Sequence, residues 1–208
     1  MSRSEGVTPQ EALEVLLAGN TRFIGRTPRY GHEASSEAAR SGEQKPYAVV
    51  AGCIDSRVPL ETIFDQDFGS IAVVRSGAHV LDRALIGSIE FAVTELTVPL
   101  VLVLGHERCG AVAATVKSVR AGTRPPGAQS YLVEVIAPSV TGAEAELPAG
   151  PGPVSEDDLA ARATRRHVLF TVAQLRALPV VATSRGAVAV AGAIYDLDSG
   201  AVELLTGP

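Results

Sequence analysis

The chain has 208 residues and a formal net charge of −5, with 46% hydrophobic residues and no tryptophan. This acidic balance argues against a nucleic-acid-binding protein, and no stretch reaches the about 18 apolar residues that a membrane span needs. Glu11 and Glu14 interrupt the segment in which a secretory signal would be apolar, so we expect a cytoplasmic protein. In that reducing compartment, two cysteines favour metal binding or catalysis over a disulfide.

The first part of the chain, residues 1–46, is expected to form a helical arm. Thr8 followed by Pro9 is a typical helix start. Apolar residues then follow at helical spacing: Leu13, Leu16 and Leu17. We expect the helix to bend or restart at Gly19, and a short second helix is predicted around 33–40.

Five strands are predicted in the remainder of the chain. Four of them are continuous apolar runs, which are typical of parallel strands covered on both faces, and they comprise residues 47–52, 71–75, 100–104 and 187–197. A hairpin turn at 198–200 leads into a fifth strand at 201–205, which is predicted to be an antiparallel edge strand.

Helices are predicted between these strands, at 79–96, 109–119 and 159–178. Strands that alternate with helices indicate an α/β fold with a mostly parallel central sheet of four strands, an antiparallel edge strand and helices on both faces. The stretch 121–158 is rich in Gly, Pro and Ala, so we expect it to be a loop, flexible at about 141–158. Residues 1–208 are predicted to form a single domain, with an α/β core at 47–208.

Two strand ends carry the residues with distinctive chemistry. The first strand runs into Cys53, and the third runs into His106 and Cys109. Functional groups in open α/β sheets gather at the carboxyl ends of the strands, so both cysteines fall at one edge of the predicted sheet. Two thiolates and one imidazole suit tetrahedral Zn²⁺, and three ligands leave a fourth position for water, as in catalytic sites. Cys109 also begins a helix, whose N-terminal amides favour a thiolate.

Asp55 and Arg57 follow Cys53 at intervals of two residues. In an extended chain these three side chains point to the same side, which brings Asp55 within reach of the metal. A bidentate pair with Arg57 can keep Asp55 off the metal, where it can accept a hydrogen bond from zinc-bound hydroxide. Because two thiolates cancel the charge of Zn²⁺, the metal should acidify water less than a three-histidine site would. This predicts an alkaline activity optimum.

Simpler interpretations of these residues stay open at this stage. Either cysteine can be an ordinary buried thiol, and a disulfide between them is geometrically feasible. The other histidines are expected outside the site: His32 and His79 on the surface or in loops, and His167, beside two arginines, in solvent. Ser56 is a weak catalytic-triad candidate, because no G-x-S-x-G motif surrounds it.

Together these motifs resemble those of the β-class carbonic anhydrases. The likeness rests on CIDSR at 53–57 and GHERCGAV at 105–112, and it extends to LLAGNTRF at 16–23, GSIEFAV at 87–93 and GAIYDLDSG at 192–200. It implies one zinc ion per chain, bound by the two cysteines and the histidine of these motifs. It further implies reversible hydration of CO₂ to bicarbonate and a proton by attack of zinc-bound hydroxide.

The resemblance also implies residues that contact the substrate and a partner subunit. Gln44 matches a glutamine of the family that reaches a neighbouring subunit's site and hydrogen-bonds the substrate. Gly110 is also expected to contact the substrate. The implied assembly is a homodimer or homotetramer with sites near the subunit interface and with the N-terminal helix across the partner. The family can also adopt an inactive form in which the aspartate moves onto zinc once its arginine pair breaks.

Three departures from the family pattern bear on the substrate. Ala72 stands where an aromatic residue commonly lines the CO₂ pocket, Gly77-Ala78 replaces the usual Ala-Gly, and Glu107-Arg108 places two charges between the metal ligands. The wider pocket expected at Ala72 keeps open a hydrolase of CS₂, COS or another small electrophile. A catalytically silent, bicarbonate-responsive scaffold is the third hypothesis.

Overall fold

The computed structural model describes residues 6–30, 44–147 and 154–208. Five strands form one sheet in the order β2-β1-β3-β4-β5, in which the first four are parallel and β5 is antiparallel to β4. Their bounds are β1 (Ala48–Cys53), β2 (Ile71–Ser76), β3 (Leu100–His106), β4 (Ala189–Tyr195) and β5 (Val202–Thr206). The predicted fold class is therefore confirmed, with each strand within two residues of its expected ends. The helix predicted around 33–40 and His32 lie outside the described residues.

Helices cover both faces of this sheet. They are α1 (Pro9–Ile24), α2 (Leu60–Ile63), α3 (Arg83–Thr94), α4 (Gly110–Ala121), α5 (Gln129–Ala145), α6 (Glu156–Arg176) and α7 (Pro179–Ala182), with a 3₁₀ turn at Gly77–His79. Alternate residues of each strand face opposite helical layers, since Val50 packs with α1 and α2 while Val49 packs with α3 and α6. None of the described helices is long and apolar enough to cross a bilayer.

Helix α1 is continuous, so the bend expected at Gly19 is wrong. Thr8 caps the helix in a reciprocal capping box with Glu11. A Cβ at Gly19 would collide with the carbonyl of Phe64, so glycine permits close packing against the end of α2. The helix packs on the sheet of its own chain through a buried face and leaves other residues, such as Val15, exposed.

The stretch 121–158 contains a helix of 17 residues, so the expectation of a loop there is wrong. Helix α5 buries Val133, Ile136, Val140 and Ala143 at helical spacing against α4 and α6. Gly142 lies in its last turns, and the guanidinium of Arg166 occupies the space that a Cβ there would take. Of the segment expected to be flexible, 141–145 belongs to α5 and 156–158 begins α6, whereas 148–153 lies outside the described residues.

Candidate metal centre

The structure brings Cys53, His106 and Cys109 together at the carboxyl edge of the sheet. Cys53 is the last residue of β1, His106 is the last residue of the adjacent β3, and Cys109 is the N-cap of α4. All three side chains are at most 3% exposed. The two sulfur atoms are 4.0 Å apart, and the three ligand atoms all lie within 4.8 Å of one another. The cysteines are free thiols, so the disulfide considered from the sequence is absent.

The imidazole of His106 is oriented so that one nitrogen faces the sulfur atoms. Its Nδ1 bonds the carbonyl oxygen of Glu107 at 2.9 Å and therefore carries the hydrogen. Nε2 is buried and has no hydrogen-bond partner among the described residues. A buried polar atom without a partner is costly, so this lone pair fits a metal ligand whose tautomer is fixed by a backbone carbonyl.

The two thiols influence each other's ionisation. A hydrogen bond from Cys109 and backbone N–H groups, including that of Ala78 at 3.3 Å, lower the pKa of Cys53. The same sulfur contact, together with burial, raises the pKa of Cys109 in the metal-free chain, although the amides of Val112 and Ala111 at the start of α4 oppose this rise. The pair therefore holds one negative charge readily, and a cation is needed to stabilise the second thiolate.

The donor set and its spacing fit Zn²⁺. Zinc–sulfur bonds of about 2.3 Å in tetrahedral geometry require sulfur atoms about 3.8 Å apart, close to the separation in this structure. Soft thiolates and one imidazole are the ligands that zinc prefers. The next residue after Cys109 is Gly110, where a side chain would meet nothing within 4 Å, so space is open beside this ligand.

Asp55 and Arg57 form the bidentate pair that the sequence predicts. Arg57 donates from Nε to Oδ1 at 3.0 Å and from Nη2 to Oδ2 at 2.7 Å. These hydrogen bonds hold the pKa of Asp55 well below its usual range, so the carboxylate is ionised at any working pH. Its Oδ2 lies 4.0 Å from Nε2 of His106. The chain beyond Cys53 makes a turn and is not extended, since the N–H of Val58 donates to the carbonyl of Asp55.

Two further residues support the ligand loop, and no motif of the sequence indicates this role for them. Arg75, at the end of β2, donates from Nε to the carbonyl of Cys53 and from Nη2 to that of Asp55, both at 2.7 Å. The N–H of Ala78 reaches Cys53 from the 3₁₀ turn, where Ala78 has a left-handed φ of 50°. The apolar run VVR marks Arg75 only as a strand end, so its contacts to the neighbouring strand required the structure.

His79 and His167 are buried, so the expected solvent exposure of His167 is wrong. His79 lies in the 3₁₀ turn between β2 and α3, as one of the two expected positions had it, but not on the surface. His79 and His167 are 2% and 1% exposed, and their rings stack with centroids 4.8 Å apart. Thr171 bonds His79, and Ser139 bonds His167. For His167, the sequence contains a signal of burial, because it lies at a spacing of four residues from other residues that α6 buries. This buried stripe is formed by Leu159, Ala163, His167, Thr171 and Leu175.

Gln44 and Ala72 lie away from this cluster within the single chain. Gln44 precedes β1 and is exposed. Ala72 pairs with Val49, four residues before Cys53, which at about 3.3 Å per residue is about 13 Å along the strand. The structure of one chain therefore does not bring either residue to its own metal ligands.

A mostly parallel α/β sheet carries a buried Cys/His/Cys cluster at its carboxyl edge, and this donor set can hold a metal ion. The chain belongs to the carbonic anhydrase family, whose family model matches residues 48–202. It is 42% identical to carbonic anhydrase 2 of Mycobacterium tuberculosis, covering 92% of this chain and 90% of that protein. It is 40% identical to a carbonic anhydrase of Mycolicibacterium smegmatis, covering 94% and 93% of the two chains.

Solved structures place the fold in the β class of this family. A β-carbonic anhydrase of Aspergillus fumigatus matches with a TM-score of 0.70 and 28% identity over 93% of this chain and 90% of that chain. One of Sordaria macrospora matches in fold with a TM-score of 0.71 at 24% identity, over 93% and 96% of the two chains. CO₂ hydration is the function of this family, and the chain is a carbonic anhydrase.

Proposed function

We propose that this chain hydrates CO₂ reversibly with one zinc ion per chain, held by Cys53, His106 and Cys109. The observation that carries this proposal is the buried Nε2 of His106, which has no hydrogen-bond partner in the described part of the chain. His106 lies in a cluster with two sulfur atoms whose separation suits zinc. A bound zinc ion would polarise a water molecule at its fourth position and so supply the nucleophile. The two thiolates would neutralise the ion, and such a neutral centre would acidify its water only weakly.

Asp55 and Arg57 carry the remaining chemistry in this proposal. The ionised carboxylate of Asp55 accepts a hydrogen bond from the attacking water, which orients the oxygen lone pair toward CO₂. Arg57 holds this carboxylate by two hydrogen bonds and keeps it from becoming a fourth metal ligand. The ion pair between them disfavours the silent-scaffold hypothesis, in which Asp55 would be bound to the metal.

Gln44 and Ala72 act across a subunit interface in this proposal. Both lie toward the amino-terminal ends of β1 and β2, so they can reach a metal centre only on a second copy of the chain. We therefore propose a homodimer, or a homotetramer of paired dimers, with Gln44 and Gly110 contacting the substrate. The Sordaria macrospora relative is described as tetrameric. A reducing compartment such as the cytoplasm keeps both thiols available as ligands.

The substrate is tested by stopped-flow hydration of CO₂ on zinc-quantified protein, with CS₂ and COS assayed in parallel. We expect turnover of CO₂ and a loss of about 10²-fold in Asp55→Asn, which keeps the shape of the side chain but removes its charge. Zinc content should be unchanged in this variant. Preferred turnover of CS₂ or COS would support the hydrolase hypothesis and assign the small residue Ala72 to a wider pocket. Unaltered CO₂ rates in Asp55→Asn would refute the role of that carboxylate.

A further inference from the structure

Arg108, which lies between His106 and Cys109 in the sequence, forms an ion pair with the turn between β4 and β5. Arg108 donates from both Nη atoms to the two carboxylate oxygens of Asp198, each at 2.7 Å. Asp198 lies in the turn between β4 and β5, 90 residues further along the chain. A bidentate arginine–carboxylate pair fixes orientation as well as distance. The loop that connects His106 to Cys109 is therefore held in place by a contact with the turn between β4 and β5.

The hairpin turn holds Asp198 in place for this contact. The carboxylate of Asp196 accepts hydrogen bonds from the N–H of Asp198 at 2.7 Å and from the hydroxyl of Ser199 at 2.8 Å. Carboxylate oxygens of Glu107, Asp196 and Asp198 all lie within 4.8 Å of one another. The guanidinium of Arg108 compensates this concentrated negative charge, and Asp198 in turn raises the pKa of Arg108.

The backbone of Arg108 connects the hairpin to the Asp55–Arg57 pair. Arg108 has a φ of 50°, in the left-handed region that residues other than glycine seldom adopt. In this conformation its carbonyl oxygen accepts a hydrogen bond from Nη2 of Arg57 at 3.4 Å. The same Nη2 donates to Asp55 at 2.7 Å. Arg57 therefore has one anchor on Asp55 and a second on the metal-ligand loop.

The solvent exposure of these side chains indicates a local role for the Arg108–Asp198 pair and only a small contribution to overall stability. The side chains of Arg108 and Asp198 are 53% and 74% exposed, so water screens their attraction and the pair adds little to overall stability. Arg57 is 54% exposed and has room to rotate into solvent when an anchor is lost. Loss of the Arg108–Asp198 pair should therefore change the position of Arg57 and leave the fold intact.

We propose that Arg108 and Asp198 are positioning residues that hold Arg57 against Asp55. Asp198 stabilises the left-handed conformation of Arg108, and the Arg108 carbonyl then supplies the second anchor of Arg57. Arg57 in its turn keeps Asp55 away from the metal ligands. This inference rests on the proposed function only for its effect on catalysis, because the contacts that carry it involve no bound group.

The test compares Asp198→Asn, Arg108→Gln and the double variant with a matched control, Glu203→Gln. Glu203 forms a bidentate pair with Arg165 between β5 and α6, at 2.8 and 2.5 Å, so the control also removes an exposed bidentate pair. The first readout is the rate at which the Nε–H of Arg57 exchanges with water, measured by NMR and assigned with Arg57→Lys. The second readout is kcat/KM for CO₂ hydration at fixed zinc content.

In Asp198→Asn we expect Arg57 Nε–H exchange to become about two- to tenfold faster and kcat/KM to fall by a similar factor, the range of one hydrogen bond. Arg108→Gln should change the exchange rate and kcat/KM by the same factors as Asp198→Asn. The double variant should show no larger change in either readout than a single variant. Glu203→Gln should leave both readouts at wild-type values. Wild-type exchange in Asp198→Asn, or independent losses in the double variant, would overturn the inference. If the wild type fails to hydrate CO₂, the proposed function fails while the exchange rates still decide this inference.

Discussion

The buried histidine pair makes the stability of this protein depend on pH. Burial lowers the pKa of His167 from its ordinary 6.5 to about 4 and lowers that of His79 well below its ordinary value. A histidine with a lower pKa in the folded state binds its proton more readily after unfolding. Its neutral form therefore stabilises the fold fully above pH 6.5, and this stability is lost as the pH falls toward 4.

The size of the effect follows from the shift of His167. A fall from 6.5 to about 4 corresponds to about 3 kcal/mol of free energy of unfolding once the titration is complete. At pH 5, part of the way through, the loss relative to pH 8 is about 2 kcal/mol. The ion-paired Asp55 and Asp65 have lowered pKa values, so their own losses occur below about pH 4, outside this window.

The assay is urea unfolding at pH 8 and pH 5 for the wild type, His167→Gln and Ser139→Ala. Between these two pH values the wild type should lose about 2 kcal/mol more than His167→Gln, because protonation of the metal ligands is common to both and cancels. Ser139→Ala removes a hydrogen bond to His167 but keeps the imidazole, so its pH-dependent loss should equal that of the wild type. An equally steep loss in His167→Gln would refute this reasoning.

Two further predictions concern the metal centre. Cys109→Ala should lose bound zinc and shift thermal unfolding to lower temperature, because the proposed ion would serve both structure and catalysis. Full zinc content by atomic emission would contradict the ligand assignment. The rate of CO₂ hydration should rise from neutral toward alkaline pH, since two thiolates would neutralise a bound zinc ion and leave its water weakly acidic. A rate that stays maximal well below neutral pH would show that the donor set differs from Cys53, His106 and Cys109.

The sheet and the ligand cluster are predictable from the sequence because each depends on a local signal. Continuous apolar runs indicate strands buried on both faces, and a Cys or His at the end of such a run falls at the functional edge of a parallel sheet. The Asp55–Arg57 pair is equally local, because only Ser56 lies between its two members. Even there the prediction of an extended chain is wrong, since the carboxylate of Asp55 also accepts the N–H of Arg57 and closes a turn.

At 121–158 and at His167, composition or neighbouring residues predict the wrong environment, although helical periodicity predicts the right one. The Gly, Pro and Ala content of 121–158 predicts a loop, although the residues buried in α5 follow helical spacing. Two adjacent arginines favour a solvated position for His167, although α6 places it on the buried stripe. Contacts such as Arg108 with Asp198 join residues 90 apart, and no local pattern encodes them.

The central claim is that one zinc ion at the Cys53–His106–Cys109 cluster supports CO₂ hydration. The most direct measurement is a titration of metal-stripped protein with Zn²⁺, in which bound metal and the initial rate of CO₂ hydration are followed on the same samples. We expect the rate to rise linearly with bound zinc and to level off at one ion per chain. Full activity in the stripped protein, or binding of one zinc ion per chain without any CO₂ hydration, would contradict the claim.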